Sequence, residues 1–148
     1  MGSPSQQLLL DTLTDAVGVG GTLAGAFLGL YTEGPPPGPG VLQASLTEAD
    51  YTGYARQAVA AYGVPYLQGG NTPRVNAAML EFRPTGSTIT NLIKGWFLST
   101  TDAPGGALLM MEDLDEPVLL AGVLTALPVV AALALDPDGN YGGGVEIP

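Results

Sequence analysis

Asp136-Pro137-Asp138-Gly139-Asn140 sets oxygen-bearing side chains at alternate positions, the spacing of the first, third and fifth ligands of a calcium loop. The match then ends. The position that such a loop reserves for glycine is Tyr141, and the closing bidentate carboxylate would fall at Ile147, one residue past Glu146. Asp, Gly and Asn make the same stretch a good turn between two strands. Glu112-Asp113-Leu114-Asp115-Glu116 is the densest charge cluster, and its carboxylates could hold a cation or work as a paired acid and base. They are nearly consecutive, with no basic residue or His close by, so the expectation is a solvated acidic turn. Its functional version needs no catalysis: an acidic tip could dock on a basic patch of another chain and fix its register.

Residues 85–90 (TGSTIT) and Ser99-Thr100-Thr101 supply hydroxyls, but a serine nucleophile needs a base, and neither a GxSxG elbow nor an SxxK pair occurs. The chain has no Cys and no His. That removes disulfides, the usual zinc sets, thiol nucleophiles and the common proton shuttle near neutral pH. Gly18-Val19-Gly20-Gly21 is followed neither by Lys nor by the third Gly of a phosphate cradle, so it reads as a helix stop. Trp96-Phe97 is most simply strand and core. No enzyme activity, metal or cofactor is expected.

Fourteen acidic residues against four basic ones (Arg56, Arg74, Arg83, Lys94) give a formal charge of -10 and a pI near 4.1. A row of phosphates would repel such a surface, so nucleic acid is excluded as a partner. Charged residues make up only 12% of the chain, about half the usual share of roughly 25%. The large uncharged surface that follows suggests that another chain covers part of it.

At 148 residues with 46% hydrophobic content, one domain can build a core without staples. Residues 5–17 carry Leu9, Leu10, Leu13, Ala16 and Val17 near helical spacing, with Ser5 as N-cap and Gly18 as stop. No Lys or Arg precedes that apolar run, so no secretory signal is expected, and Gln6 breaks the myristoylation pattern. A strand is expected over 23–31. Residues 33–40 (EGPPPGPG) form the clearest loop, because proline donates nothing to a sheet. A single turn is expected at 46–50 and a strand over 51–60. Gly- and Pro-rich breaks then recur about every ten residues, including Gly142-Gly143-Gly144. Between them lie runs at 75–82, 88–99, 107–112, 117–120, 129–135 and 145–147. The apolar stretch 118–135 is just long enough to span a bilayer core of about 30 Å. Its flanks are acidic, and Gly122 and Pro128 divide it, so two strands joined by a turn are expected rather than a membrane span. The expected fold is mainly β: a single antiparallel β-barrel or sandwich with a short N-terminal helix or arm. Residues 1–22 form the arm and 23–148 the β domain, with 51–135 as the barrel.

Several blocks occur in a particular order: Leu30-Tyr31-Thr32, a Pro-rich stretch, residues 42–57 (LQASLTEADYTGYARQ), Tyr62-Gly63-Val64-Pro65-Tyr66, and Gly95-Trp96-Phe97-Leu98. Across residues 24–135 the chain resembles small virion-associated proteins of tailed bacteriophages. The resemblance implies a capsid decoration (cement) protein on the capsid surface, or else a minor head or tail component, and it carries over no catalytic residues. The implied partners are the major capsid protein or other virion proteins. A homo-oligomer, with a trimer as the expected number, suits quasi-symmetric sites on a lattice. The expected partner-binding residues are Leu9, Leu10 and Leu13 of the arm, Pro35, Pro36 and Pro37 of the loop, and Glu112, Asp113, Asp115 and Glu116. The alternative is a tail or adsorption module in which exposed Tyr31, Tyr51, Tyr54, Tyr62, Tyr66 or Trp96 stacks on sugar rings of a receptor or glycan.

Overall fold

The computed structural model of the chain describes residues 11–12, 14–15, 17–18, 23–36, 41–59, 62–68, 72–103, 106–135 and 141–146, and at 68, 72, 134–135 and 141–146 it describes the backbone. The described residues form ten strands. These are β1 (Phe27–Glu33), β2 (Thr47–Glu48), β3 (Gln57–Ala58), β4 (Tyr66–Gln68), β5 (Thr72–Asn76), β6 (Leu80–Phe82), β7 (Asn91–Ser99), β8 (Leu108–Leu120), β9 (Leu127–Leu135) and β10 (Tyr141–Glu146). They make two five-stranded antiparallel sheets. One runs β2-β1-β7-β8 with β3 also paired to β1, and the other runs β10-β9-β5-β4 with β6 also paired to β9. The result is a mainly β, sandwich-like fold. The β core is wider than the expected 51–135, because β1 and β2 before that range and β10 after it belong to the two sheets.

Strand periodicity explains the core. On β9 the alternate residues Leu127, Val129, Ala131 and Leu133 are buried, as expected when successive side chains point to opposite faces. They join Leu28, Leu30, Ile93, Trp96, Leu98, Val75, Phe82 and Leu120 in one hydrophobic cluster. A second cluster lies on residues of opposite parity in the first sheet: Tyr31, Phe97 and Met111, with Val41, Leu46 and Leu108 packed on them. Phe97 pairs with Gly29, and Tyr31 with Gly95. A Cβ at Gly29 would run into the Phe97 ring, and one at Gly95 into the Tyr31 phenol, so each glycine makes room for the aromatic ring opposite it.

Several expected boundaries move. The strand expected over 23–31 begins at Phe27, since Gly25 turns the chain at φ 76° and Ala26 N–H bonds to Leu23 O at 3.2 Å. The strand expected over 51–60 is only β3. Before it, Gly53 at φ 87° sits in a turn closed by Tyr54 N–H to Tyr51 O at 2.8 Å. The turn expected at 46–50 contains β2, paired with Tyr31 and Glu33. The run 75–82 divides between β5 and β6, both paired to β9. The triple glycine expected to break the chain lies inside β10, opposite Ala134, Leu133 and Ala132.

Stretch 118–135 does divide as expected into the end of β8, a turn, and β9. The turn is closed by Thr125, whose Oγ1 accepts from Ala121 N–H at 3.0 Å and Gly122 N–H at 3.2 Å. Among the described residues no helix is long and apolar enough to cross a membrane. Residues 11, 12, 14, 15 and 17 of the expected arm are helical, and Gly18 N–H bonds back to Thr14 O at 3.2 Å and Asp15 O at 3.3 Å. The candidate loop 136–140 lies outside the described residues.

Candidate functional site

The first sheet carries the charged chemistry. Arg56, one of the chain's four cations, is buried and meets Glu48 in a two-pronged pair, Nε to Oε2 and Nη2 to Oε1, both at 2.8 Å. Its Nη1 donates to Thr101 O and Ala103 O at 2.9 Å and to Ser99 Oγ at 3.3 Å. The guanidinium lies 5.0 Å from the centre of the Phe97 ring. Tyr54 Oη donates to Glu48 Oε2 at 2.6 Å and accepts from Leu30 N–H at 3.1 Å. Ser99 Oγ donates to Gln43 Oε1 at 2.6 Å, so this hydroxyl ties two loops to the sheet. The Glu48 bond raises the Arg56 pKa further, while burial and the Glu48 bond push the Tyr54 phenol up. The network is a strut joining residues 43–56 to 99–103. Beside it opens a cleft of about 590 Å³ lined mainly by Val41, Leu42, Leu46, Phe97 and Leu108, with Glu48 and Arg56 at one side. Sequence reading did not single out Glu48 or Arg56 as a pair. The available signal was the rarity of cations in so apolar a chain.

The acidic cluster is not a turn. Glu112, Asp113, Asp115 and Glu116 lie within β8, the last strand on its side of the sheet. The ladder explains how. Ile93 pairs with Val118 and Gly95 with Asp113, so β8 holds three more residues than β7 over this interval and bulges outward. Asp115, Glu116 and Pro117 are exposed on the bulge, while Glu112 and Asp113 are half-buried. Asp113 Oδ1 accepts from Tyr31 Oη at 2.6 Å. Burial and that bond push the Tyr31 phenol far up, with the charges of Asp113 and Glu112 adding to the shift. Burial also raises the Glu112 pKa, helped by the charges of Asp113 and Asp115. Among the described residues no group of three or more His, Cys, Asp or Glu could hold a metal ion.

Beyond the bulge, exposed aliphatic side chains gather at one end of the sandwich. Leu92 and Leu119 are cross-strand partners, 55% and 54% exposed. Asn91 pairs with Leu120, so the residues flanking that pair, Ile89 on one side and Val123 and Leu124 on the other, leave the sheet at the same end. Ile89, Val123 and Leu124 are exposed too, Leu124 at 94%. Thr52 N–H holds Ile89 O at 3.1 Å, and Arg83 Nη1 holds Val123 O at 2.7 Å. Lys94 Nζ bonds to Gly34 O at 3.1 Å, which brings the start of the Pro-rich segment beside β7.

The four carboxylates of the cluster lie on β8, and Pro35 and Pro36 follow Gly34, which is held to β7 through Lys94. Leu9, Leu10, Leu13 and Pro37 lie outside the described residues. The rings considered for sugar stacking are mostly inside: Tyr31, Tyr51 and Trp96 are buried, Tyr54 and Tyr62 are half-buried, and Tyr66 is the exposed one. Comparison of the chain with protein-family models, curated proteins and solved structures finds no match.

Proposed function

We propose that the chain is a non-enzymatic virion structural protein, a capsid decoration (cement) protein that binds the major capsid lattice and stabilises it. The observation that carries this reading is the exposed Leu92–Leu119 cross-strand pair on the first sheet, continued by Ile89, Val123 and Leu124. Exposed aliphatic residues gathered at one place mark contact surfaces in soluble proteins. The resemblance of residues 24–135 to small phage virion proteins supplies the partner class. The polar network supports the same reading, since buried Arg56 and Ser99 and half-buried Glu48 and Tyr54 are engaged in holding loops to the sheet.

Co-sedimentation with expanded capsids, with a glycan array as the second arm, tests the reading. Saturable binding to capsids and none to glycans is the expected result. Glycan binding without capsid affinity would overturn it in favour of an adsorption module.

A further inference from the structure

The end of the sandwich that carries Ile89, Leu92, Leu119, Val123 and Leu124 has a charge pattern as well as an apolar one. On β8, the exposed carboxylates of Asp115 and Glu116 precede Leu119 on the same bulged strand. The nearby cations are already engaged: Arg83 with Glu81 Oε1 at 3.0 Å and Val123 O at 2.7 Å, and Lys94 with Gly34 O at 3.1 Å. We infer that this face docks a second protein whose contact surface presents aliphatic side chains bordered by lysine or arginine.

The choice of occupant follows from charge. Two copies of this chain meeting through this face would bring like carboxylates to one interface on molecules of formal charge -10 each, and like charges set together disfavour association. An anionic lipid surface or a nucleic acid meets the same repulsion. A basic rim on the partner reverses the sign, steers encounter and fixes the orientation, while the leucines provide the apolar contact. The inference rests on reading the chain as an assembly protein, and it adds the chemistry of the partner.

The test titrates the isotope-labelled full chain with two amphipathic helical peptides and follows amide shifts by NMR. One peptide has a leucine face bordered by lysine, and the other has glutamate in place of lysine. The lysine peptide is expected to shift residues 89–92 and 115–124. Its affinity should fall at least tenfold in Leu92→Ser/Leu119→Ser and severalfold in Asp115→Lys/Glu116→Lys, whose substituted side chains are exposed and leave the core intact. The glutamate peptide is expected not to bind. Equal binding of both peptides would overturn the inference. So would shifts spread over all carboxylates with no loss in the leucine variant, or concentration-dependent self-association through these residues in sedimentation. Neither peptide contains capsid sequence, so failure here leaves the capsid reading to its own co-sedimentation test. Conversely, peptide binding without capsid binding removes the capsid reading alone.

Discussion

Arg56 bridges three stretches of chain at once, and its replacement is the sharpest single-residue test of how the first sheet holds its loops. Arg56→Met would keep much of the apolar stem but leave Glu48 without its cation, Thr101 O without the Arg56 donor, and Ala103 O with the Thr101 hydroxyl in place of two donors. The Arg56 side chain is buried but Glu48 keeps a quarter of its surface in water, so the expected loss in unfolding free energy is about 2 kcal/mol, below that of a fully buried pair. The check is a lower urea midpoint at unchanged m-value. Arg56→Lys should recover only part of it, since an ammonium cannot make the two-pronged contact. The tyrosines make a second prediction. Tyr51 is pushed up to about 12 by burial, and Tyr31 and Tyr54 higher still, from an ordinary 10.0. Each raised pKa contributes stability that is complete below pH 10, where the unfolded chain also keeps its protons. Above that pH the unfolded state ionises first, and stability falls by about 1.4 kcal/mol per pH unit for each such tyrosine. The phenolate absorbance of these three rings and circular dichroism should therefore change together, in one cooperative alkaline transition. Phenolate signal from these rings ahead of unfolding would contradict their burial.

At the scale of elements, β8 is the informative strand. A long strand at a sheet's edge invites pairing with another chain, and charges, proline and bulges are the usual defences. β8 has all of them in Asp115, Glu116 and Pro117. Asp115→Val/Glu116→Val is expected to keep the fold but to shift sedimentation toward higher oligomers, and a monomer unchanged across concentration would count against the protective role. The same strand shows where the sequence was hard to read. Runs 107–112 and 117–120 were legible as apolar segments. Four carboxylates between them looked like a turn, because local charge density carries no sign of whether a strand passes through it at an edge. β2 and β3 are two residues each, and their pairing comes from β1, far away in sequence, so no local pattern marks them. By contrast, the division of 118–135 was legible because its turn is made locally, by Gly122 and Thr125.

For the whole molecule, the mainly β class followed from short apolar runs and regular breaks, while the arrangement into two sheets depends on long-range partners that spacing alone does not encode. Of the face proposed for docking, the carboxylates of Asp115 and Glu116 were marked by composition. Leu92, Leu119 and Leu124 looked like core, since an exposed leucine and a buried one have the same identity. The fold also places the chain's single tryptophan in the main core, fully buried, where its indole Nε1 has no hydrogen-bond partner among the described residues. Tryptophan fluorescence is thus a one-site signal from an apolar core, and its emission should be strongly blue-shifted. Leu92, Leu119 and Leu124 stand at the surface while Trp96 does not, so docking should leave the emission colour unchanged and unfolding should redden it. The molecule carries its own optical gauge for telling assembly from denaturation.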